Sequence, residues 1–347
     1  MIAPRPFVSI VIPCRNEERY IGACLDSILA GDYPLDRLEV LVADGRSEDR
    51  TRGILAAYTA RHRAIRLLDN PQRITPTALN AAIRAARGDV IMRMDAHGMY
   101  PSSYVSQLVA ALEETGADAV GGVIETLPAD ASATARAIAL GLSHPLGVGN
   151  AYFRIGSRER RWTDAVSFGC YRRQVFERIG LFDEDLVRNQ DDEFDLRLIK
   201  HGGRVLLVPE VVSRYYARRS LRQVAHMFHQ YGYFKPLVAK KLGRIMTGRQ
   251  LVPALFLLSL AASALAGLWW RPAALAGAGI VGLYSAVVLG CVVASARTHG
   301  VRVAAVLAGV FPMLHVSYGI GFLQGVVDHV FGLHRRVRDA AAISLTR

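Results

Sequence analysis

The chain has 347 residues, of which 51% are hydrophobic, and a formal net charge of +12 at pH 7. This length accommodates one large domain plus an appendage. Cys14, Cys24, Cys170 and Cys291 form no Cys-x-x-Cys pair, which favours a reduced chain over a disulfide framework. The charge predicts either a generally solvated basic surface or an anionic partner. Membrane lipid is the favoured partner, and no nucleic acid is expected because no nucleic-acid-binding motif accompanies the charge.

Strand and helix patterns alternate along the N-terminal part of the chain. Strands are predicted at 8–12, 38–42, 65–68, 90–94, 119–124 and 205–208. Helices are predicted at 17–30, 49–61, 76–87, 103–115, 131–142, 174–179 and 192–201. This alternation predicts an α/β fold with a mainly parallel sheet and helices on both faces. The region 129–163 contains the helix at 131–142, then glycines and a basic run, and is typical of loops that form substrate walls.

The C-terminal part contains three apolar stretches, 251–270, 273–295 and 301–327. The first two are each long enough to cross a bilayer, whereas the third carries Pro312, His315 and Gln324. We therefore predict an α/β domain over 1–213, a basic interfacial linker over 214–250, a membrane domain over 251–330 and a basic tail over 331–347.

Positive charges precede the first apolar stretch, at Lys235, Lys240, Lys241, Arg244 and Arg249. Such charges stay on the cytoplasmic side of a membrane and attract anionic lipid. The apolar stretches and the positive charges before them together predict a multi-pass protein of the inner (cytoplasmic) membrane, with a cytoplasmic N-terminal domain.

The number of spans is left open. Three full spans would place Arg335, Arg336 and Arg338 outside, against the charge bias, whereas two spans plus a re-entrant or interfacial segment would keep them inside. Three membrane-embedded helices are favoured. No signal peptide is expected, because the run 7–12 is short and Pro13 interrupts it.

A metal site is predicted at Asp95-Ala96-His97, which ends an apolar strand. In an open α/β sheet, ligands bind at this edge. Carboxylate oxygen suits Mg²⁺ and Mn²⁺, and an added imidazole favours Mn²⁺ or another transition-metal ion. The alternative is that Asp95 only caps a helix or forms a turn.

Asp44 closes the second strand and can accept a hydrogen bond from a base or a ribose. The alternative is that Asp44-Gly45 is simply a turn.

The densest acidic cluster comprises Glu184-Asp185 and Asp191-Asp192-Glu193. Crowded carboxylates raise one another's pKa, which suits a general base near neutrality. The alternative is a solvated helix start, where acids are favoured by the helix dipole.

Arg218 and Arg219 precede the aromatic segment 226–235. Arginines can hold a diphosphate through two hydrogen bonds each. The alternative is an amphipathic helix that only anchors the domain to a membrane.

These segments together resemble the inverting family 2 glycosyltransferases of the GT-A fold. The motifs that carry the resemblance are Ser9-Ile10-Val11-Ile12-Pro13-Cys14-Arg15-Asn16-Glu17-Glu18, Asp44-Gly45-Arg46-Ser47-Glu48-Asp49-Arg50-Thr51, Ala78-Leu79-Asn80, Gly88-Asp89, Asp95-Ala96-His97, Phe168-Gly169-Cys170-Tyr171-Arg172, Gly180-Leu181-Phe182-Asp183-Glu184 and Asn189-Gln190-Asp191-Asp192-Glu193. The chain is most similar to the subgroup that extends lipid-linked oligosaccharides for exopolysaccharide.

The resemblance implies a nucleotide-diphospho-sugar donor, most often a UDP-sugar, and a polyprenyl-diphosphate-linked saccharide acceptor. It implies that Asp44 contacts uracil and that Pro13, Arg15 and Glu17 line the nucleotide pocket. It further implies that Asp95 and His97 hold a divalent Mn²⁺ or Mg²⁺ ion on the diphosphate. The catalytic base would be Asp191, with Asp192 as its competitor.

The chain departs from the family pattern at two places. Gln190 replaces the usual Glu before the base, and His226 and Gln230 replace the usual Gln/Arg-rich motif. Arg218 or Arg219 would then contact the donor diphosphate instead. Two other functions stay open at this point, a non-catalytic nucleotide-binding membrane scaffold and a sugar-phosphate nucleotidyltransferase.

Overall fold

The structure is a computed structural model that describes residues 5–245 and 247–332. Within these residues, nine strands form one sheet in the order β3-β2-β1-β4-β8-β6-β9-β5, with β7 paired to β9. The strands are β1 Val8–Cys14, β2 Leu38–Asp44, β3 Ile65–Asp69, β4 Val90–Arg93, β5 Gly98–Met99, β6 Ala119–Leu127, β7 Arg161–Trp162, β8 Cys170–Arg172 and β9 Val205–Tyr216. The helices are α1 Ile21–Leu29, α2 Thr51–Arg61, α3 Thr75–Ala85, α4 Tyr104–Thr115, α5 Ala133–Leu142, α6 Pro145–Val148, α7 Tyr152–Ile155, α8 Arg173–Ile179, α9 Gln190–Lys200, α10 Leu221–Leu242, α11 Val252–Gly267, α12 Arg271–His299 and α13 Val301–Gly325.

The described residues divide into two compact units, one comprising 5–125 and 151–216 and the other comprising 126–150 and 217–332. The loop region expected to form a substrate wall is thus shared between the units. The predicted domain boundaries at 213, 250 and 330 stay predictions. Beyond residue 332 the predicted basic tail, including Arg335, Arg336 and Arg338, lies outside the described residues.

The first unit holds the sheet. Strands β1 to β4 are mutually parallel, whereas β8 pairs antiparallel with both β4 and β6. Strands β1 and β2 are buried almost throughout because their β-branched and leucine side chains face helices on both sides. The predicted α/β, GT-A-like sheet is confirmed.

One face of the sheet packs on α1 and α4 through Leu25 and Leu108. The opposite face packs on α3, α8 and α9 through Leu79, Phe176 and Phe194. Burial of each of these side chains contributes about 1.5–3 kcal/mol. The two apolar layers therefore fix the strands of the sheet, and with them the strand ends.

The second unit contains three helices long and apolar enough to cross a membrane, within the part of the chain that the structure describes. They cover Gly248–Gly267, Arg271–His299 and Val301–Val330, and the predicted apolar helices are confirmed. These helices indicate membrane association. In the most apolar part of each helix, 11% of the first, 6% of the second and 44% of the third is buried. Other parts of the protein therefore cover the third helix far more than the first two.

The polar residues of α13 are paired with other elements of the second unit. His315 lies 2.7 Å from the Tyr284 hydroxyl and 2.7 Å from the Leu146 carbonyl. Gln324 Oε1 lies 3.1 Å from His229 Nε2 on α10. These pairings explain how polar side chains are accommodated in an apolar helix.

Candidate functional site

Three parallel strands end side by side in the first unit. Cys14 of β1 is in register with Asp44 of β2, and Val11 is in register with Arg93 of β4. The chain forms β2 and β3 on one side of β1 and then returns to form β4 on the other side. Ligands bind at such a topological switch point, beyond the carboxyl ends of the strands. The predicted residues Pro13, Asp44 and Asp95 all lie at or directly after these ends.

The Asp44 carboxylate is fully buried, with 0% of the residue exposed. It accepts hydrogen bonds from the Ser47 amide at 3.1 Å, from the Ser47 hydroxyl and from Arg52 Nη1 at 2.8 Å. Arg52 Nη2 also lies 2.9 Å from Asp69 Oδ1. Asp44 therefore does close a turn, with its charge compensated by Arg52. Its contact with a nucleotide base stays a prediction.

The loop after β1 is tied to the loop after β2. Asn16 has a left-handed backbone (φ 55°), its amide donates to the Ser47 hydroxyl at 2.8 Å, and its side-chain oxygen accepts from the Glu48 amide at 2.9 Å. Arg15 Nη2 lies 3.9 Å from Glu48 Oε1. The two N-terminal motifs thus form one continuous wall, which places Arg15 beside the loop that follows Asp44.

Asp95 begins a tight turn that closes through a hydrogen bond from the Gly98 amide to the Asp95 carbonyl at 3.0 Å. The Tyr100 hydroxyl accepts from the Asp95 amide at 2.8 Å and donates to the Asp95 carbonyl at 3.2 Å. His97 Nδ1 lies 3.2 Å from Glu17 Oε1. The turn interpretation therefore describes the backbone. The side chains make further contacts, His97 with Glu17 and the Asp95 carboxylate with Arg93.

Arg93 is a site residue that the sequence interpretation missed. Only 7% of it is exposed, and its guanidinium donates to Asp95 Oδ1 at 3.2 Å and to Asp191 Oδ2 at 3.1 Å. Burial opposes its charge, but the carboxylates of Asp95 and Asp191 outweigh burial and raise the pKa of Arg93. The available signal was an arginine inside an apolar strand, two residues before the acid.

The acidic cluster is divided among several roles. Glu193 is paired with Arg197 Nε at 2.8 Å, and Glu184 accepts from Asn80 Nδ2 at 2.8 Å. Asp191 alone of these acids is bonded to Arg93. Glu193 of α9 and Glu184 of the preceding loop are thus held in structural contacts, whereas Asp191 contacts the residue that also holds Asp95.

Asp192 adjoins Asp191 in the first turn of α9, and its amide donates to Asp191 Oδ1 at 3.0 Å. This contact helps orient the Asp191 carboxylate. The roles of Asp191 as base and Asp192 as competitor stay predictions.

Asp195 lies on α9, one turn after Asp191, with 0% of the residue exposed. It accepts from the Val166 amide at 2.9 Å and from the Tyr171 hydroxyl at 2.9 Å. Burial raises the pKa of the Asp195 carboxyl well above its usual range. Sequence reasoning did not single out this residue, because nothing in the local pattern distinguishes it from its acidic neighbours.

Arg218 and Arg219 belong to the second unit. Arg218 Nε lies 3.4 Å from Met227 Sδ, and Arg219 Nε lies 3.7 Å from Asp130 Oδ2. Their predicted contact with a donor diphosphate stays a prediction.

The donor set at the end of β4 fits a particular kind of metal site. Within residues 5–245 and 247–332, no group of three or more His, Cys, Asp or Glu side chains is arranged to hold a metal ion. Asp95 and His97 offer one oxygen and one nitrogen donor, which does not suit an all-protein cage. Two donors do fit an ion whose other ligands are substrate phosphates and water, and the nitrogen favours Mn²⁺ over Mg²⁺.

Sequence comparison relates the chain to sugar-transferring enzymes. The profile described as Glycosyl transferase family 2 matches residues 9–180. The dolichyl N-acetyl-alpha-D-glucosaminyl phosphate 3-beta-D-2,3-diacetamido-2,3-dideoxy-beta-D-glucuronosyltransferase of Methanococcus voltae is 31% identical over 243 residues, covering 68% of this chain and 74% of that protein. The succinoglycan biosynthesis protein ExoA of Rhizobium meliloti is 34% identical over 225 residues, covering 64% of this chain and 67% of ExoA.

Solved structures show the same fold. The mannosyltransferase PcManGT from Pyrobaculum calidifontis, in complex with GDP-Man and Mn²⁺, superposes with a TM-score of 0.56 at 22% identity, covering 96% of this chain and 89% of that chain. The S. aureus TarS fragment 1–349, in complex with UDP-GlcNAc, superposes with a TM-score of 0.51 at 16% identity, covering 95% and 93%.

Proposed function

The chain belongs to the family 2 glycosyltransferases, and we propose that it is a membrane-associated, inverting enzyme. It would transfer a sugar from a UDP-sugar to a lipid-linked saccharide. The product would serve exopolysaccharide or cell-surface glycan synthesis. The scaffold and nucleotidyltransferase alternatives find no support in the matched family.

The observation that carries the proposal is the pairing of Arg93 with both Asp95 and Asp191. It brings the end of β4 and the first turn of α9 to one place in the first unit. A donor diphosphate held near Asp95 would have its anomeric carbon near Asp191. Positioning of this kind supplies much of the rate in such a transfer.

In the proposed reaction, Asp191 takes the proton from an acceptor hydroxyl. The hydroxyl oxygen bonds to the anomeric carbon from the face opposite the nucleotide, and the bond to the nucleoside diphosphate breaks with its electron pair leaving on the diphosphate. An α-linked donor thus gives a β-linked product. The exposed fraction of the Asp191 side chain, 35%, leaves it accessible to an acceptor.

Asp95 and His97 would hold a divalent ion, which when bound supplies positive charge to the departing diphosphate. Pro13, Arg15, Glu17 and Asp44 would form the nucleotide side of the site, and Arg218 or Arg219 would contact the diphosphate.

The lipid-linked acceptor is proposed because of the relatives and the apolar helices. The Methanococcus voltae relative is named for a dolichyl-linked substrate, and ExoA is named for succinoglycan biosynthesis. The three long apolar helices suit an acceptor that resides in a membrane. From the positive charges of Lys240, Lys241, Arg244 and Arg249 we infer that the first span starts on the cytoplasmic side of the inner membrane.

A donor panel tests this function. The full chain, reconstituted in lipid nanodiscs, is incubated with UDP- and GDP-sugars and a polyprenyl-diphosphate-linked saccharide, with Mn²⁺, with Mg²⁺ or with EDTA. We expect metal-dependent release of UDP and a β-linked lipid product, whose anomeric configuration is read by NMR. Release of GDP alone would overturn the donor assignment, and an α-linked product would overturn inversion.

A further inference from the structure

We propose that Glu17 is a positioning residue of the metal site, because it accepts the Nδ1–H of His97 and leaves Nε2 of the same ring free to bind the metal ion. The inference rests on the metal site of the proposed function. It adds a role towards the metal ion to the proposed place of Glu17 on the nucleotide side of the site.

The Glu17 carboxylate is rigidly placed. The residue is 6% exposed, its amide donates to the Thr51 hydroxyl at 2.7 Å, and its carbonyl accepts from the amides of Tyr20 and Ile21 at 2.9 Å each. These bonds fix the backbone at the start of α1. From there Glu17 Oε1 lies 3.2 Å from His97 Nδ1.

The contact selects one form of the imidazole ring. An ionised carboxylate can only accept a hydrogen bond, so Nδ1 must carry the proton. In a neutral imidazole the other nitrogen, Nε2, then keeps its lone pair. Metal-binding histidines almost always donate their second nitrogen to a carboxylate, a carbonyl or water, which fixes the tautomer and raises ligand basicity.

A doubly protonated His97 in a simple ion pair with Glu17 would have the same geometry. Such a ring has no lone pair and cannot bind a metal ion. The two states therefore differ in metal affinity, which is measurable.

A second contact of the His97 ring is with an aromatic side chain. The rings of His97 and Tyr215 are 5.4 Å apart at 54°, and Gly98, the next residue, pairs with Tyr215 in the β5–β9 ladder. The imidazole is thus oriented by Glu17 and by Tyr215 together. A nitrogen ligand favours Mn²⁺ over Mg²⁺. In this arrangement the preference would depend on Glu17 of the N-terminal motif as well as on His97 itself.

The test is a Mn²⁺ titration of the full chain in nanodiscs in the presence of UDP, with free Mn²⁺ read by EPR. Glu17→Leu should weaken Mn²⁺ binding about 10- to 100-fold, the usual effect of removing such an outer partner. The matched control is Glu18→Leu, because the adjacent carboxylate pairs with Arg50 at 3.3 Å. That variant should bind Mn²⁺ within about twofold of the unmodified chain, as expected for an independent site.

A double-mutant cycle separates positioning from a general structural role. In a His97→Ala background, Glu17→Leu should cause no further loss of Mn²⁺ affinity. Glu17→Gln keeps an acceptor oxygen and should bind Mn²⁺ more tightly than Glu17→Leu. If Glu17→Leu does not fold, Glu17→Gln is compared with the Glu18→Leu control instead.

The proposal is overturned if the unmodified chain binds no Mn²⁺, if neither Glu17 variant weakens binding, or if Glu17→Leu costs as much in the His97→Ala background. Because the titration needs no turnover, its outcome is independent of whether sugar transfer is detected.

Discussion

Arg93 Nη1 lies 3.1 Å from Asp191 Oδ2, although the two residues are 98 positions apart in the chain. The same guanidinium donates to Asp95, two residues beyond Arg93. One buried cation thus connects the predicted metal ligand to the predicted base. Its removal should therefore affect both stability and catalysis.

Replacing Arg93 with Met should destabilise the protein and slow transfer. Breaking a fully buried ion pair costs about 3–5 kcal/mol. We expect about 2 kcal/mol, because the Asp95 and Asp191 side chains are 21% and 35% exposed and solvent screens them. Misplacement of Asp191 should lower kcat by about 100-fold. Thermal unfolding and steady-state kinetics measure the two effects.

The control for that variant is Arg178→Met. Arg178 also makes a short ion pair, to Asp118 at 2.7 Å, but its side chain is 47% exposed. We expect a loss of no more than about 1 kcal/mol there, with kcat unchanged. An Arg93→Met enzyme with unmodified kcat would show that the Arg93–Asp191 contact does not position the base.

Replacing Asp191 with Asn removes the proposed proton acceptor while keeping the side-chain shape. Transfer should fall by about 10²- to 10⁴-fold, the usual contribution of a general base, and UDP-sugar binding measured by calorimetry should be retained. Asp192→Asn is the matched comparison. If Asp192→Asn abolished transfer and Asp191→Asn did not, the two assignments would be exchanged.

Asp195→Asn should change how stability depends on pH. Burial raises the folded-state pKa of Asp195 above its ordinary value. The stability that its proton contributes is full below the ordinary Asp range and is lost as pH rises through the raised pKa. An Asn can still accept from the Val166 amide, and it does not ionise. The variant should therefore gain stability relative to the unmodified protein as the pH increases from about 4 towards neutrality.

The comparison residue is Asp49, whose pKa is lowered because hydrogen bonds from Thr51 outweigh the effect of burial. Its stabilisation is present above the ordinary Asp range and is lost as pH falls. Asp49→Asn should therefore cost most near neutral pH. Unfolding midpoints measured across the pH range would contradict both predictions if the two variants shifted in the same direction.

Gly321→Ala should destabilise the second unit. A Cβ on Gly321 would collide with the His229 carbonyl of α10, so the two helices can approach only because residue 321 has no side chain. Gly309 lies on the same helix, and a Cβ there would meet nothing within 4 Å. Gly309→Ala should be neutral or stabilising, since Ala favours helix by about 1 kcal/mol. The midpoints of thermal unfolding of Gly321→Ala and Gly309→Ala are measured in detergent. Equal midpoints for the two variants would refute the packing argument.

The longer strands and most helices of the first unit, the long apolar helices and the family could be predicted from the amino-acid sequence. These features are encoded locally, because periodicity and short motifs depend on neighbouring residues. The sequence did not reveal β5, β7 and β8, which have two or three residues each. Strands of this length are too short to display a period, and only pairing with longer strands forms them.

The motif singled out Asp191, but the partners of the acids follow from the fold. Glu184, Asp191, Glu193 and Asp195 contact Asn80, Arg93, Arg197 and Tyr171 respectively. Two of these partners, Asn80 and Arg93, lie about a hundred residues away along the chain. A carboxylate's function depends on its burial and on the charge beside it, and for these residues folding sets both.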